Sequence, residues 1–123
     1  MYQPGDEYSA LTAADLSEKQ YHVAKTDATG KLVLATAATD DIIGVINDGG
    51  RVAGDTATVQ LINGSGTFKV KAGGTIAKGA YLTTDASGQA VATTTAGNRV
   101  FGRAVRAAVA GDIVEYIKYN ELV

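Results

Sequence analysis

The chain has 123 residues and a formal net charge of −2, with 15 glycines, two phenylalanines and neither cysteine nor tryptophan. This length predicts a single domain, and the lack of cysteine excludes a disulfide framework, a thiolate metal site and a cysteine nucleophile. Eleven basic residues are balanced by thirteen acidic ones without a basic block, so we expect no nucleic-acid partner. No apolar run approaches the ~18 residues of a membrane span and no signal peptide is evident, so we expect no membrane partner and synthesis in a cytosol-like compartment.

The first 11 residues differ in character from the rest of the chain. They carry two tyrosines and the only proline before any repeated pattern begins. Such a segment predicts an extended N-terminal arm, 1–11, that contacts a neighbouring molecule. The contact residues expected on it are Tyr2, Gln3, Pro4 and Tyr8. The stretch 10–19 is compatible with a short helix or with a loop.

Residues 16–62 predict short strands separated by turns. Asp27-Ala-Thr-Gly30 is typical of a type I turn, in which the aspartate accepts hydrogen bonds from the backbone ahead and the glycine takes a positive φ. A hairpin corner is therefore expected there. Gly44 lies inside the next apolar segment and indicates a bulge or a sharp bend. Val52-Ala-Gly-Asp55 then predicts a turn into a further strand.

The clearest alternation of polar and apolar residues runs through 56–61 and 67–71. A turn sequence, Asn63-Gly-Ser-Gly66, separates the two segments. This arrangement predicts a β-hairpin with one solvated face.

A second copy of the first unit occupies residues 76–119. Asp85-Ala-Ser-Gly88 repeats the earlier D-A-T-G turn 58 residues later, and Val109-Ala-Gly-Asp112 repeats the VAGD turn. We therefore predict an all-β fold, either a small barrel or a sandwich, built from two related β-units within one domain of residues 12–123.

Groups able to carry chemistry are few. His22 is the only histidine, so neither a catalytic role nor a metal or cofactor site is expected, and no arrangement typical of an enzyme is found. Arg99, Arg103 and Arg106 cluster near one predicted strand. They either contact an acidic partner surface or protect a strand edge from aggregation by their charge.

Three segments of the second half follow one another in a characteristic order. They are Ala72–Val91, with a glycine-rich start and the D-x-x-G turn, Val100–Ala104, with its internal glycine, and Ala110–Val114, with the A-G-D exit turn. In this order they resemble the capsid cement, or head decoration, proteins of tailed bacteriophages. The resemblance covers about residues 10–119, with the first half as a looser copy. Arg103 and Arg106 depart from it, because that strand is ordinarily apolar or acidic in the family.

The resemblance implies a β-tulip-like protein with no catalytic group or cofactor. It also implies a structural virion protein, commonly a homotrimer, on the outer surface of the phage head, where it binds the major capsid protein and stabilises contacts between its subunits. The N-terminal arm and the three arginines are then the expected capsid or subunit contacts. The alternative is a carbohydrate-binding or fibre- or tail-associated β module of the virion. Aromatic platforms for sugar rings would favour the carbohydrate-binding alternative.

Overall fold

The computed structural model describes residues 5–123, in which ten β-strands form two antiparallel five-stranded sheets. The strands are β1 Glu7–Leu11, β2 Val23–Thr26, β3 Leu32–Leu34, β4 Gly44–Asp48, β5 Thr56–Leu61, β6 Thr67–Lys71, β7 Tyr81–Thr84, β8 Ala90–Ala92, β9 Arg99–Ala104 and β10 Ile113–Leu122. The all-β prediction is confirmed, and of the two architectures expected the structure is the sandwich. No helix in residues 5–123 is long and apolar enough to cross a membrane.

Both sheets have the same strand order. It is β1-β5-β4-β2-β3 in the first sheet and β6-β10-β9-β7-β8 in the second, so every strand has a counterpart five strands later. The two related units predicted from the sequence are therefore two complete sheets. Each unit begins one strand earlier than the repeats 16–62 and 76–119 indicate, because β1 and β6 share a pairing position without sharing a sequence motif.

The two D-A-x-G turns have the conformation predicted for them. The amide of Gly30 donates to the carbonyl of Asp27 at 3.0 Å, and that of Gly88 donates to the carbonyl of Asp85 at 3.3 Å. Each aspartate carboxylate also accepts from the backbone amides two and four residues ahead. Both glycines have positive φ, 84° and 76°, as the turn requires. These turns join β2 to β3 and β7 to β8.

The two VAGD turns also share one geometry. Val52–Asp55 connects β4 to β5, and Val109–Asp112 connects β9 to β10. In each, the aspartate amide donates to the valine carbonyl, at 3.2 Å and 3.1 Å, and the glycine has a φ of 86° or 93°. The doubled sequence therefore encodes the same turn in both sheets.

The predicted hairpin of residues 56–61 and 67–71 is wrong. β5 pairs with β1 and β4 in the first sheet, whereas β6 pairs with β10 in the second. Asn63–Gly66 is thus the link between the sheets. The alternation correctly identified two strands, but alternation within a strand does not specify which strand pairs with it.

The predicted arm of residues 1–11 is wrong for Glu7–Leu11, which forms β1 at the free edge of β5. Tyr8 and Ala10 alternate toward one face and pack against the first core, so pairing and burial hold the segment in the sheet. The chain continues after β1 as a loop rather than a helix. Tyr2, Gln3 and Pro4 lie outside the described residues.

Gly44 and Gly102 occupy equivalent positions where another strand passes very close. A Cβ atom on Gly44 would lie 2.0 Å from the carbonyl oxygen of Gln60, and one on Gly102 would lie 2.3 Å from Cδ2 of Tyr116. Neither distance is compatible with a side chain. Close packing of β5 and β10 is therefore the reason for glycine inside these strands.

The core has two parts. The smaller cluster belongs to the first sheet and contains Leu16, Ala24, Leu32, Ile46, Ala57 and Val59. The larger cluster lies between the sheets, where residues of the second sheet such as Leu82 and Tyr116 pack with Val23 and Val45 of the first. The centre of the first sheet is consequently buried on both faces.

Candidate interaction face

Polar side chains near the first sheet hold loops in place. Lys25 Nζ lies 3.2 Å from Asp40 Oδ2, and the same carboxylate accepts from two backbone amides of the loop after β3. His22 is nearly buried, and its Nδ1 donates to the carbonyl of Gln20 at 3.1 Å. Burial lowers the pKa of His22. Residues 5–123 contain neither a ligand-sized pocket nor a group of three acidic or histidine side chains placed to hold a metal ion.

One row of directly paired residues crosses the first sheet from β2 to β1. The row consists of Val23, Val45, Gln60 and Glu7. Val23 and Val45 are completely buried against the second sheet. Gln60 is also contacted from the second sheet, because Lys118 Nζ donates to its Oε1 at 2.9 Å.

The equivalent row of the second sheet faces outward, and we call it the open row. It consists of Tyr81, Arg103, Ile117 and Thr67 on β7, β9, β10 and β6. Tyr81 is 38% exposed and Ile117 is 51% exposed. Equivalent backbone positions thus carry buried valine in the first sheet and exposed tyrosine or arginine in the second.

Aromatic rings and a cation meet at one end of the open row. The guanidinium carbon of Arg103 lies 5.9 Å from the centroid of the Tyr81 ring, and the rings of Tyr81 and Tyr119 stack 5.7 Å apart at 17°. The hydroxyl of Tyr119 donates to Glu121, and this bond together with the carboxylate charge raises the pKa of Tyr119 to about 12. Tyrosine and arginine are enriched at the centres of protein interfaces, so this arrangement is typical of a contact surface.

The VAGD turns provide two further exposed apolar positions. Val52 is 62% exposed and Val109 is 57% exposed, at the same point of the same turn. We call these two residues the turn tips. Each lies at the end of its unit opposite to Asn63–Gly66, because the turns precede β5 and β10 whereas the link follows β5 and precedes β6.

The three arginines predicted as contacts do not form one cluster around the rings. Arg103 pairs with Ile117 and lies over Tyr81, whereas Arg99 pairs with Leu122 near the end of β10. Arg106 is exposed in the loop after β9. Tyr8, predicted as an arm contact, is partly buried against the first core.

Sequence reasoning missed Tyr81, Tyr119 and Ile117 as parts of this face. A usable signal was present in the repeat itself. With the two D-A-x-G turns aligned, Tyr81 stands where the first unit has Val23, and Arg103 stands where it has Val45. Apolar residues replaced by tyrosine and arginine at matched positions indicate a face that is buried in one unit and exposed in the other.

Comparison with known proteins supports this architecture. No curated protein matches the chain. Among solved structures, the chain is similar to the head fiber gp8.5 N base of bacteriophage phi29, with a TM-score of 0.67 and 24% sequence identity. That similarity covers 95% of this chain and 96% of the other, and at this identity it shows a shared fold.

One protein family also matches most of the chain. The match extends over residues 11–118, from the end of β1 into β10, and so includes both units. On this match, the chain belongs to the phage cement protein family.

Proposed function

We propose that this protein binds the outer surface of the phage head and stabilises contacts between neighbouring subunits of the major capsid protein. Its family makes it a structural protein of the virion. The finer role follows from what such binding requires. A capsid presents the same surface at adjacent positions, so a chain that presents the same contact twice can hold two neighbours together.

The observation that carries this proposal is the pair of turn tips. Val52 and Val109 occupy one geometry, are similarly exposed and are fixed by the same aspartate bonds. A rigid tip loses little conformational entropy on binding, and two tips on one chain raise the effective concentration of the second contact after the first has formed. We propose that the protein acts as a homotrimer on the head, which multiplies these contacts further.

Other residues are proposed to support the attachment. Arg99 and Arg106 are exposed and offer charge to an acidic capsid surface. Residues 2–4 precede β1 and are proposed as additional contacts. Because Glu7–Leu11 is a strand, the arm is tested by deleting residues 1–4 only, and the deletion should lower head occupancy without changing the melting temperature.

The decisive experiment measures binding to heads that lack this protein, taken from the phage that encodes it. Purified protein is co-sedimented with the heads, and bound copies are counted against major capsid protein. Wild-type protein should saturate at a fixed ratio. Val52→Asp and Val109→Asp should each lower the affinity by at least about tenfold, and the double variant should bind least, because each removes one of two linked contacts.

Asn63→Asp is the matched control, since it adds the same charge at an exposed position at the opposite end of both units. It should bind as the wild type does. Wild-type affinity in both valine variants would reject the turn tips as contacts. Failure of folded wild-type protein to saturate the heads would overturn the capsid-binding function itself.

A role in holding a fibre on the head is the second candidate. It is favoured by the similarity to the head fiber gp8.5 N base of phage phi29. The two functions differ in what is needed for stability. If the protein is a cement, heads loaded with it alone should resist heat or chelation better than bare heads. If it serves only to attach a fibre, loaded and bare heads should be equally resistant.

A further inference from the structure

Within the chain, a turn of the second unit docks on the first unit. Gly88, in the Asp85–Gly88 turn, is buried, and its carbonyl accepts from the amide of Val23 at 2.7 Å. A Cβ atom at Gly88 would lie 3.1 Å from Cδ2 of Leu34. One residue before the turn, the hydroxyl of Thr84 donates to the carbonyl of Ala35 at 3.0 Å in a buried position. We call the turn the docking turn, and we call β2 with the end of β3 the receiver.

The first unit carries the same turn, and nothing in residues 5–123 packs on it. Asp27–Gly30 has the same hydrogen bonds and the same positive φ as its counterpart. Ala28, Thr29 and Gly30 are nevertheless exposed, and a Cβ atom at Gly30 would meet nothing within 4 Å. A preformed copy of a docking turn is therefore available on the surface.

The second unit carries the matching receiver, which is exposed at two of its three positions. Tyr81 occupies the place of Val23, and Ala92 and Thr93 occupy the places of Leu34 and Ala35. Tyr81 and Ala92 are exposed, whereas Thr93 is buried and its hydroxyl accepts from the amide of Thr95 and from Nδ2 of Asn98. Residues 5–123 thus contain one contact that is made, one docking turn that is uncovered and one receiver that is exposed at Tyr81 and Ala92.

We propose that a second copy of this chain docks its Asp27–Gly30 turn on the Tyr81 end of the open row. The composition of this end fits a contact between separately folded chains. Where the intramolecular contact buries valines, the open row has tyrosine and arginine, which can be exposed in the free chain and still pack well when covered. Each surface carries one acidic and one basic side chain. They are Asp27 and Lys31 at and directly after the turn, and Glu121 and Arg103 on the receiving face.

This contact is heterologous, because different surfaces of the two copies meet. Such a contact either closes into a ring or continues as a filament. A ring of three would be the homotrimer proposed above, and in that respect the inference rests on the proposed function. Docking between free chains does not require a capsid, so it is measured without heads.

The test is sedimentation velocity of the full chain over a series of concentrations. Ala28→Arg blocks the docking turn with a bulky side chain, and Tyr81→Arg blocks the receiver. Wild-type protein should form oligomers, and each variant should sediment as a monomer at concentrations where the wild type is assembled. Ala53→Arg is the matched control, because it makes the same substitution in an exposed turn at the other end of the first unit. It should assemble as the wild type does.

Mixing the two variants gives the sharpest result. Ala28→Arg chains keep a working receiver and Tyr81→Arg chains keep a working turn, so an equimolar mixture should form dimers and nothing larger. Wild-type protein that stays monomeric, oligomers that survive both substitutions, or a mixture without dimers would each overturn the proposal. A monomeric wild type whose Tyr81→Arg variant loses head binding would assign this face to the capsid instead. Assembly without head binding would leave the contact standing and reject the capsid role.

Discussion

The two sheets share one backbone plan but differ in what covers them. The first is buried on both faces at its centre, whereas the second has its open row exposed. Val45 and Arg103 make the difference plain, since they occupy the same place in β4 and β9. Duplication has preserved turns, strand order and close-packed glycines, all of which depend on backbone geometry. Side chains on the outer faces depend on the neighbour, and there the two units diverge.

Exchanging the two residues that mark this difference should give the largest effect. Val45→Arg places an unpaired charge in the fully buried contact between the sheets and should cost about 4 kcal/mol of unfolding free energy, enough to unfold much of the protein. Arg103→Val, at the exposed counterpart, should change the unfolding free energy by less than about 0.5 kcal/mol. Urea denaturation at low protein concentration measures both. Equal costs at the two positions would contradict the assignment of covered and open rows.

The equivalent glycines should respond almost as strongly, but for different reasons. Gly44→Ala drives a methyl group into the backbone of β5, whereas Gly102→Ala drives one mainly into the ring of Tyr116, with the carbonyl oxygen of Ile117 farther away at 2.9 Å. Each should cost about 3 kcal/mol. A backbone collision cannot be relieved by a side-chain change, whereas a ring can be removed.

The companion variant Tyr116→Val makes this distinction measurable, because valine is the residue at the corresponding position of the first sheet, Val59. Gly102→Ala combined with Tyr116→Val should be more stable than the sum of the two single effects by at least about 1 kcal/mol. Gly44→Ala combined with Val59→Ala should show no such coupling. Coupling in both pairs, or in neither, would mean that the two glycines are constrained alike.

The sequence alone allowed the all-β class, the duplicated unit and the repeated turns to be predicted, because each depends on local rules. Aspartate and glycine in Asp27–Gly30 specify a turn wherever it lies in the fold. Which strands pair with each other could not be predicted from the sequence. β5 and β6 alternate as a hairpin would, yet they belong to different sheets, since the choice of partner depends on residues far away in the chain, such as β1.

The candidate site was predicted only in part for a related reason. Arg103 was identified as a contact, but its grouping with Arg99 and Arg106 followed proximity in sequence. The stacked tyrosines come from β7 and from the end of β10, which pairing brings together across 38 residues of chain (119 − 81). Tyr21 shows the same limit. It adopts a φ of 66°, a conformation that the second unit gives to Gly79, and no local pattern around it signals this.

The hydroxyl of Tyr116 should give a smaller effect of opposite sign. Tyr116 is completely buried at the position of Val59, and within residues 5–123 its hydroxyl has no hydrogen-bond partner. Burial accordingly raises the pKa of Tyr116 well above its usual range. Tyr116→Phe keeps the edge-to-face contacts with Phe68 and Phe101 and removes the unpaired hydroxyl, so it should stabilise the protein by about 1 kcal/mol.

Thermal unfolding should show this gain as a rise of several degrees in the melting temperature. Tyr119→Phe is the control, because its hydroxyl is exposed and bonded to Glu121, and it should leave the melting temperature nearly unchanged. A melting temperature lowered by Tyr116→Phe would show that the buried hydroxyl contributes a favourable interaction.

The smallest effect concerns pH and the contact between the units. His22 lies beside Gly88 at that contact, and burial, with Lys19 and Lys71 nearby, lowers its pKa below the ordinary 6.5. The unfolded chain therefore binds a proton at a higher pH than the folded chain does. Stability is fully present above pH 6.5 and is lost as the pH falls through the lowered folded pKa.

His22→Gln removes this titration, so its unfolding free energy should be flatter than that of the wild type between about pH 5 and 7, where the carboxylates stay ionised. The second unit has Ala80 at the position of His22, so no matching titration arises there. Urea midpoints measured across this range test the claim. The charged imidazole is disfavoured at the buried contact between the units. Parallel pH profiles for wild type and variant would therefore mean that His22 is solvated in the folded protein. The contact between the units would then be looser than its hydrogen bonds indicate.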